Sequence, residues 1–301
     1  MPANANMALE RPHMKKKRKK DTQIKQIMRR LVKNKVAMAG LVVLVLIALS
    51  CACAPILTPY DPNALDYTAF HAMPSFAHPL GCDNLGRDIL SRLLYGGRLS
   101  LLIGFTCAIV GMVFGVFFGC IVGYYGGSVD NIAMRICDVW MAIPGTLLAI
   151  MISSAFSSLP AFLATVLALS VGGLPGSVRG TRAMVLKERE MEYLEAAKAM
   201  NCSKMKIMFK HMMPNIIAPT IVGTTGQIGG TIMSSAGLSY IGLGIQPPTA
   251  EWGAMCAAAR EYLTTNPLEM LWPGLAVLIT VLAINMLGDG LRDAMDPRLK
   301  D

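Results

Sequence analysis

Charged residues are scarce in this chain, and they are almost absent from its long apolar runs. Of 301 residues, 16% are Asp, Glu, Lys or Arg and 53% are hydrophobic, and the mean hydropathy is +0.48. A soluble domain of this length carries more charge and less apolar surface. The composition therefore predicts an integral membrane protein.

Motifs for catalysis and for cofactor or metal binding are also missing. The sequence has no GxxxxGK(S/T) phosphate loop, no defensible pair of catalytic carboxylates and no Ser/His/Asp arrangement. Its 8 cysteines form no CxxC pair and no Cys/His cluster at zinc spacing. We therefore expect no enzyme activity, no metal and no cofactor in this chain, and no nucleic-acid partner.

Six apolar runs reach the length of about 18 residues that a helix needs to cross the hydrocarbon of a bilayer. The first has 22 residues, which cover about 33 Å as a helix. The sequence therefore predicts an all-α membrane protein with six transmembrane helices, which lie at residues 36–57, 99–123, 136–154, 161–178, 215–236 and 270–288.

Basic residues predict the orientation, because Lys and Arg are retained on the cytoplasmic side of short loops. Placing both termini in the cytoplasm puts 24 of the 28 basic residues there. The tails 1–35 and 289–301 are then cytoplasmic, the loop 58–98 is outside, and a core over 99–288 holds the other five spans. The run "KKKRKK" in the first tail is interpreted as a topology anchor that also touches anionic lipid.

Ionisable side chains within the predicted spans are limited to Asp138, which lies near the start of its helix. Arg135 lies three residues earlier on the same face, so we expect an ion pair at the helix end. Proton- and ion-coupled carriers usually place charged groups at membrane depth. The pattern therefore argues against secondary transport.

Glycine recurs every four residues in the second span, at Gly111, Gly115, Gly119 and Gly123. Such a ridge lets the backbone of another helix approach closely, which is how helices associate in lipid. We expect close packing of this span against a neighbour.

A polar stripe follows one face of the fifth span and consists of Thr220, Thr224, Gln227, Thr231 and Ser234. Polar groups in hydrocarbon need a partner helix or a water-filled path. The stripe is a candidate lining of a translocation path, and hydrogen bonding between helices is the alternative.

The predicted cytoplasmic loop 179–214 has an amphipathic helical pattern. It predicts a helix from about 181 to 200, a left-handed turn at Asn201, a cap at Ser203 and a second helix over 204–213 that ends at Pro214. The product is a helical elbow projecting from the membrane. An amphipathic loop lying on the lipid surface is the alternative.

The end of this loop, "EAAKAMNCSKMKIMFKHMMPN", resembles the EAA loop of ATP-binding-cassette (ABC) importer permeases. Glu195, Ala196, Ala197 and Pro214 match that motif. Asn201 stands where the family has glycine, and Asn tolerates the left-handed conformation at modest cost.

The resemblance extends over nearly the whole chain. Among the dipeptide, oligopeptide and nickel permeases, the chain resembles the second type of permease subunit, the "C" subunit. The resemblance is carried by "HPLGCDNLGRDILSRLLYGGRLSLLIG", "GLSYIGLGIQPPTAEWGAM" and "PGLAVLITVLAINMLGDGLRDAMDPRLK".

The resemblance implies a type I permease core in a bacterial or archaeal cytoplasmic membrane. Its partners would be a homologous permease, two cytoplasmic ATPases that bind ATP and Mg, and an extracytoplasmic substrate-binding protein. In this reading the elbow couples to the ATPases through apolar contacts of Met205, Ile207, Met208 and Phe209, and Glu195 holds the elbow in place.

Three questions stay open at this level. The expected cargo is a dipeptide or oligopeptide, but a nickel chelate or a glutathione-like solute is an alternative within the same family. A membrane scaffold or a secretion component is an alternative of another class. Cys82 and Cys256 both lie in predicted outer loops, and whether they form a disulfide is undecided.

Overall fold

Helices make up nearly all the regular structure of residues 23–295, the part of the chain that the computed structural model describes. That part contains no β-strand, and an isolated antiparallel bridge joins Cys82 and Asp88. The predicted all-α fold is confirmed. The tail up to residue 22, with its basic run, and residues 296–301 lie outside the described residues.

Twelve α-helical segments follow one another in this part of the chain. A π-helix (Ile207–Met212) lies between the ninth and tenth, and a short 3₁₀ turn (Arg260–Tyr262) follows the eleventh. In chain order the segments are α1 (Gln23–Lys33), α2 (Lys35–Ala52), α3 (Ala54–Leu57), α4 (Ile89–Tyr125), α5 (Gly127–Met141), α6 (Gly145–Ala155), α7 (Ala161–Glu188), α8 (Glu192–Ala199), α9 (Lys204–Lys206), α10 (Met213–Tyr240), α11 (Trp252–Ala259) and α12 (Leu268–Met295).

Four of these helices, α2, α4, α7 and α12, are long and apolar enough to cross a membrane, and α5 with α6 makes a fifth crossing if that bent pair is one span. The predicted third span, 136–154, is therefore not one helix, because α5 and α6 meet at 84°. Pro144 lies at the bend, where its missing N–H and its ring interrupt the helical hydrogen bonds. The predicted fifth span, 215–236, lies inside the 28-residue helix α10, which is not one of these four helices because of its polar stripe.

Several predicted boundaries also shift. The first span, 36–57, divides into α2 and α3 at Cys53, just before Pro55. The helix predicted from residue 99 already begins at Ile89, because the Oδ2 atom of Asp88 accepts the N–H of Ser91 at 2.7 Å and caps the helix there. Part of the loop predicted over 58–98 is therefore helical, and α12 likewise runs on into the tail predicted from residue 289.

The glycine ridge packs α4 closely against α7, as the four-residue spacing predicts. Added Cβ atoms at the ridge glycines would lie within hard-contact distance of α7. These distances are 2.7, 2.6 and 2.7 Å, for Gly115, Gly119 and Gly123 to the Cβ atoms of Ser177, Thr181 and Val185.

A cap, which we define as residues 58–88 and 241–267, covers one end of the long helices. Residues 189–212 lie at the other end. Buried Glu251 fastens the cap to α4, since its carboxylate accepts a hydrogen bond from the Ser100 hydroxyl at 2.9 Å. The same carboxylate caps α11 within the cap by accepting the Ala254 N–H at 3.0 Å. His71 pairs with Glu269 of α12, with 2.5 Å between Nδ1 and Oε1. The cap is thus held by buried polar contacts rather than left as a loose loop.

Both cysteines of the predicted outer loops are free thiols, so the structure contains no Cys82–Cys256 disulfide. Cys82 is buried, and desolvation together with nearby carboxylates raises the pKa of its thiol to about 11. A thiol in that environment is a small apolar residue rather than a reactive group.

Candidate functional site

The elbow, defined here as residues 189–212, joins α7 to α10. The helix predicted over 181–200 is not continuous, because α7 ends at Glu188 and α8 starts only at Glu192. Met191 between them is extended, with φ −78° and ψ 137°. The chain therefore turns twice, once at 189–191 and again after α8.

The second turn has the predicted left-handed residue. Asn201 has φ +52°, and two hydrogen bonds close the end of α8 around it: Asn201 N–H to Lys198 O at 2.9 Å and Cys202 N–H to Ala197 O at 3.2 Å. This is the Schellman pattern of a helix end, in which glycine is the usual residue at the left-handed position. The Ser203 hydroxyl then accepts the Lys206 N–H at 3.4 Å, as a cap does. The predicted turn and cap are confirmed.

The second arm of the elbow does not end at Pro214. The helical backbone runs without a break from Lys204 through the π-helix into α10 and on to Tyr240. Pro214 is the second residue of α10, and α10 follows the π-helix directly, so this proline does not end the helix. Met205 and Gln227 thus lie on one helical run, with about 33 Å of helix between them at 1.5 Å per residue.

Two residues expected to contact another chain are enclosed by this one. Ile207 and Met208 are 2% and 1% exposed, and they belong to a core with Leu194, Ala197 and residues of α4 and α7. Phe209 is partly buried against the same core. The expectation that Ile207 and Met208 form the coupling contact is therefore corrected: they attach the elbow to the helices behind it.

The exposed tip of the elbow is formed by other residues. Met205 is 56% exposed and Met200, on the other side of the turn, is 72% exposed. Glu195 and Ala196 are exposed as well, and the Glu195 side chain makes no hydrogen bond or ion pair within residues 23–295. The Glu195 side chain thus does not hold the elbow in place within the chain, and its carboxylate is exposed.

A polar network that the sequence pattern does not reveal fastens α8 to its neighbours. The Tyr193 hydroxyl donates to the Glu188 carboxylate at 2.5 Å and accepts from the Asn215 amide at 2.8 Å. Asn215 also donates to Glu188 at 3.1 Å. Burial and the Glu188 carboxylate raise the pKa of Tyr193 to about 12, so the donor stays protonated at physiological pH.

A cavity of about 860 Å³ lies between α6, α7 and α10. Its wall includes Gln227, Thr231 and Ser234 of the predicted stripe, but Thr220 is buried and, like Thr224, is not part of the wall. The opposite wall was not foreseen and contains Thr146 of α6 and the Gly172–Gly173 pair of α7. No charged side chain lines this cavity.

The hydroxyls of the stripe bond within their own helix. Each donates to a carbonyl four residues earlier, as Thr220 does to Ile216 at 2.8 Å, Thr231 to Gln227 at 2.9 Å and Ser234 to Gly230 at 2.9 Å. One of these hydroxyls also makes the helix-to-helix contact offered as the alternative: Thr220 Oγ1 lies 3.7 Å from the Met184 sulfur of α7, away from the cavity wall. Their remaining lone pairs and the exposed Gln227 amide give the cavity wall a neutral polar strip.

Metal ligation has no candidate in the described part of the chain, where no group of three or more His, Cys, Asp or Glu residues is placed to hold an ion. The arrangement instead combines an exposed elbow at one end of a helix with a neutral cavity in its middle. Such an arrangement can couple a movement at the elbow to the shape of the cavity.

Comparison with known families matches two regions of the sequence. Residues 115–301 match the family described as binding-protein-dependent transport system inner membrane component. Residues 22–77 match the N-terminal transmembrane domain of oligopeptide transport permease C.

Curated relatives cover most of the chain. A glutathione transport system permease protein, GsiD of Pectobacterium atrosepticum, is 43% identical over 93% of this chain and 92% of its own length. A di/tripeptide transport system permease protein, DppC of Pseudomonas aeruginosa, is 38% identical over 92% of this chain and 93% of its own. A dipeptide transport system permease protein, DppC of Haemophilus influenzae, is 39% identical over 89% and 92%.

Solved structures share the fold. A chain of the MetNI methionine ABC transporter, in inward-facing conformations, superposes with a TM-score of 0.56 at 21% identity and covers 68% of this chain and 97% of its own. A chain of an amino acid ABC transporter superposes with a TM-score of 0.51 at 16% identity over 66% and 91%.

Proposed function

The chain belongs to the family of binding-protein-dependent transport system inner membrane components, and from this membership we propose that it is the permease subunit of an ABC importer for short peptides. It lies in the inner membrane with both termini in the cytoplasm. The subunit has no catalytic site of its own, and ATP and Mg are bound by partner ATPases. The basic residues on the elbow side support this orientation.

The observation that carries this proposal is the continuous helical run from Lys204 to Tyr240. It joins the exposed tip at Met205 to the cavity wall at Gln227, Thr231 and Ser234. A helix transmits displacement along its axis better than a loop does, because each turn is hydrogen-bonded to the next. Closure of the ATPase dimer would therefore move the path wall directly.

The tip suits a protein partner. Methionine side chains are flexible and polarizable, and exposed Met200 and Met205 can fit an apolar groove on an ATPase. The exposed, unpaired Glu195 carboxylate supplies a charge that a basic residue of that groove can meet. The buried residues beneath, Ile207 and Met208, make the support stiff.

Partners on the other side and across the path complete the assembly. A homologous permease closes the open side of the cavity, and a substrate-binding protein delivers cargo at the cap. A cavity without charged groups suits zwitterionic peptides, because it neither traps nor repels either terminus.

A second cargo has a specific observation in its favour. The glutathione permease relative is 43% identical, against 38% and 39% for the two dipeptide permease relatives given above. Glutathione is itself a short peptide, so the same neutral path would suit it.

Reconstitution tests the proposal. We expect ATP-dependent uptake of a labelled dipeptide into proteoliposomes that contain this chain, its homologous permease, both ATPases and the binding protein. Unlabelled glutathione or a nickel chelate added in excess identifies the preferred cargo by competition.

The variant Glu195→Lys is expected to lower uptake by roughly tenfold while basal ATP hydrolysis persists, and Glu190→Lys, a reversal outside α8, serves as its control. An assembled complex that never takes up any of the three solutes would refute the proposed function.

A further inference from the structure

Helix α5 is held to the rest of the chain by charge rather than by apolar packing. Of its 15 residues, Cys137 alone is buried. Ile132, Ile136 and Val139 are exposed on its surface. A helix with so little buried apolar area depends on other contacts for its position.

Two arginines of α7 make those contacts. The Arg182 guanidinium binds the Asp130 carboxylate through two parallel hydrogen bonds, Nε to Oδ1 and Nη2 to Oδ2, the latter at 2.5 Å. Arg179 bonds the Asp138 carboxylate one turn away on α7. The predicted partner of Asp138, Arg135, is also present at 3.8 Å, but it is the more exposed and more distant of the two.

The first of these pairs is the better shielded. The side chains of Asp130 and Arg182 are 14% and 25% exposed. Forked pairing of this kind sets the orientation of both side chains as well as their distance. The two pairs together define both the position of α5 along α7 and its rotation about its own axis.

Each partner helix leads to one part of the candidate site. Beyond Arg182, α7 ends at Glu188 and continues into the elbow, where Arg189 donates to the Tyr124 carbonyl at 3.4 Å. Beyond Asp138, α5 bends into α6, whose Gly145, Thr146 and Ala149 line the cavity. The ion pairs therefore link the elbow to the α6 wall of the cavity through α5, in addition to the direct apolar packing of α6 on α7 around Ala149 and Ala168.

We propose that the Asp130–Arg182 and Asp138–Arg179 pairs are positioning pairs that make α5 and α6 move together with α7 when the elbow moves. This inference rests on the proposed function and adds a second route to it, because α10 moves one wall of the path and the ion pairs move the other. The ion pairs couple the helices mechanically. Transport should therefore depend on whether residues 130 and 182 form an ion pair, and not on which of the two carries the positive charge.

Charge exchange tests the proposal in the reconstituted complex. Asp130→Asn and Arg182→Gln are each expected to lower uptake by about tenfold while basal ATP hydrolysis stays within about twofold of wild type. The exchanged pair, Asp130→Arg with Arg182→Asp, restores the link and is expected to recover at least about half of wild-type uptake. Lys187→Gln removes a charge from the exposed side of α7 and is the matched control.

Three outcomes would overturn the inference. The first is wild-type uptake by the single variants. The second is an exchanged pair that assembles and hydrolyses ATP but transports no better than the single variants. The third concerns Asp130→Glu, which keeps the charge and replaces the single variants if these fail to co-purify with their partners. An Asp130→Glu complex that assembles but does not transport would overturn the inference. Absence of uptake by the wild-type complex would instead refute the proposed function.

Discussion

Replacing Gly119 by alanine perturbs the contact between α4 and α7 at its tightest point. The added Cβ would lie 2.6 Å from Thr181 Cβ, 2.9 Å from Thr181 Cγ2 and 2.9 Å from the Val178 carbonyl oxygen. Ordinary contacts between such atoms are about 3.5–4 Å, so the helices must separate by roughly 1 Å. Neither neighbour can yield easily, because one is backbone and the other is a β-branched side chain. Overpacking of this kind costs about 1–3 kcal/mol.

Thermal unfolding of the purified complex in detergent or nanodiscs measures this cost. We expect the midpoint to fall by several degrees, roughly 2–10 °C. Gly180→Ala is the matched control, because a Cβ there meets nothing within 4 Å. If Gly119→Ala and Gly180→Ala have the same midpoint, the glycine ridge does not set the distance between α4 and α7 and the packing argument is refuted.

Three further variants test the elbow and the path. Tyr193→Phe removes the hydroxyl between Glu188 and Asn215 and is expected to cost about 0.5–1.5 kcal/mol of unfolding free energy. Because the pKa of Tyr193 is raised from about 10 to about 12, this stabilisation is complete below pH ~10 and is lost as the pH rises toward 12. Equal stability of the variant and the wild type at pH ~7 would contradict this expectation. Gln227→Leu is expected to lower uptake without changing assembly, whereas Ile221→Leu, away from the cavity wall, leaves uptake unchanged; normal uptake by the first variant would argue against a lining role. Residue 201 has φ +52°, so Asn201→Gly is expected to be neutral or slightly stabilising in thermal unfolding, and Asn201→Val is expected to cost about 1–2 kcal/mol. Severe loss of stability in the glycine variant would contradict the proposed turn.

Local chemistry explains which parts of the elbow could be predicted. Asn201 and Ser203 act through backbone atoms within four residues of themselves, so their identity is enough to predict a left-handed turn and a cap. Pro214 misled the prediction, because a proline ends a helix or begins one according to what precedes it. Here a π-helix precedes it and the helix continues.

Longer-range features were beyond the reach of sequence patterns. Apolar residues such as Ile207 and Met208 suit a buried core and a partner groove equally well, and only the fold shows that α4 and α7 enclose them. The Asp130–Arg182 pair joins residues 52 apart, which no helical spacing relates. The glycine ridge was predictable as a contact surface, but its partner helix α7 was not.

The central claim is that the exposed tip of the elbow is the surface that receives movement from the ATPases. Cross-linking from a single cysteine at Met205, in a chain whose partly exposed native cysteines, Cys53, Cys202 and Cys256, are replaced, tests it most directly. We expect Met205→Cys to cross-link to an ATPase subunit, with a yield that changes when ATP is bound, and Phe76→Cys in the cap to give no such product. Cross-linking to the ATPase from Phe76→Cys, or none from Met205→Cys in an intact and active complex, would contradict the account.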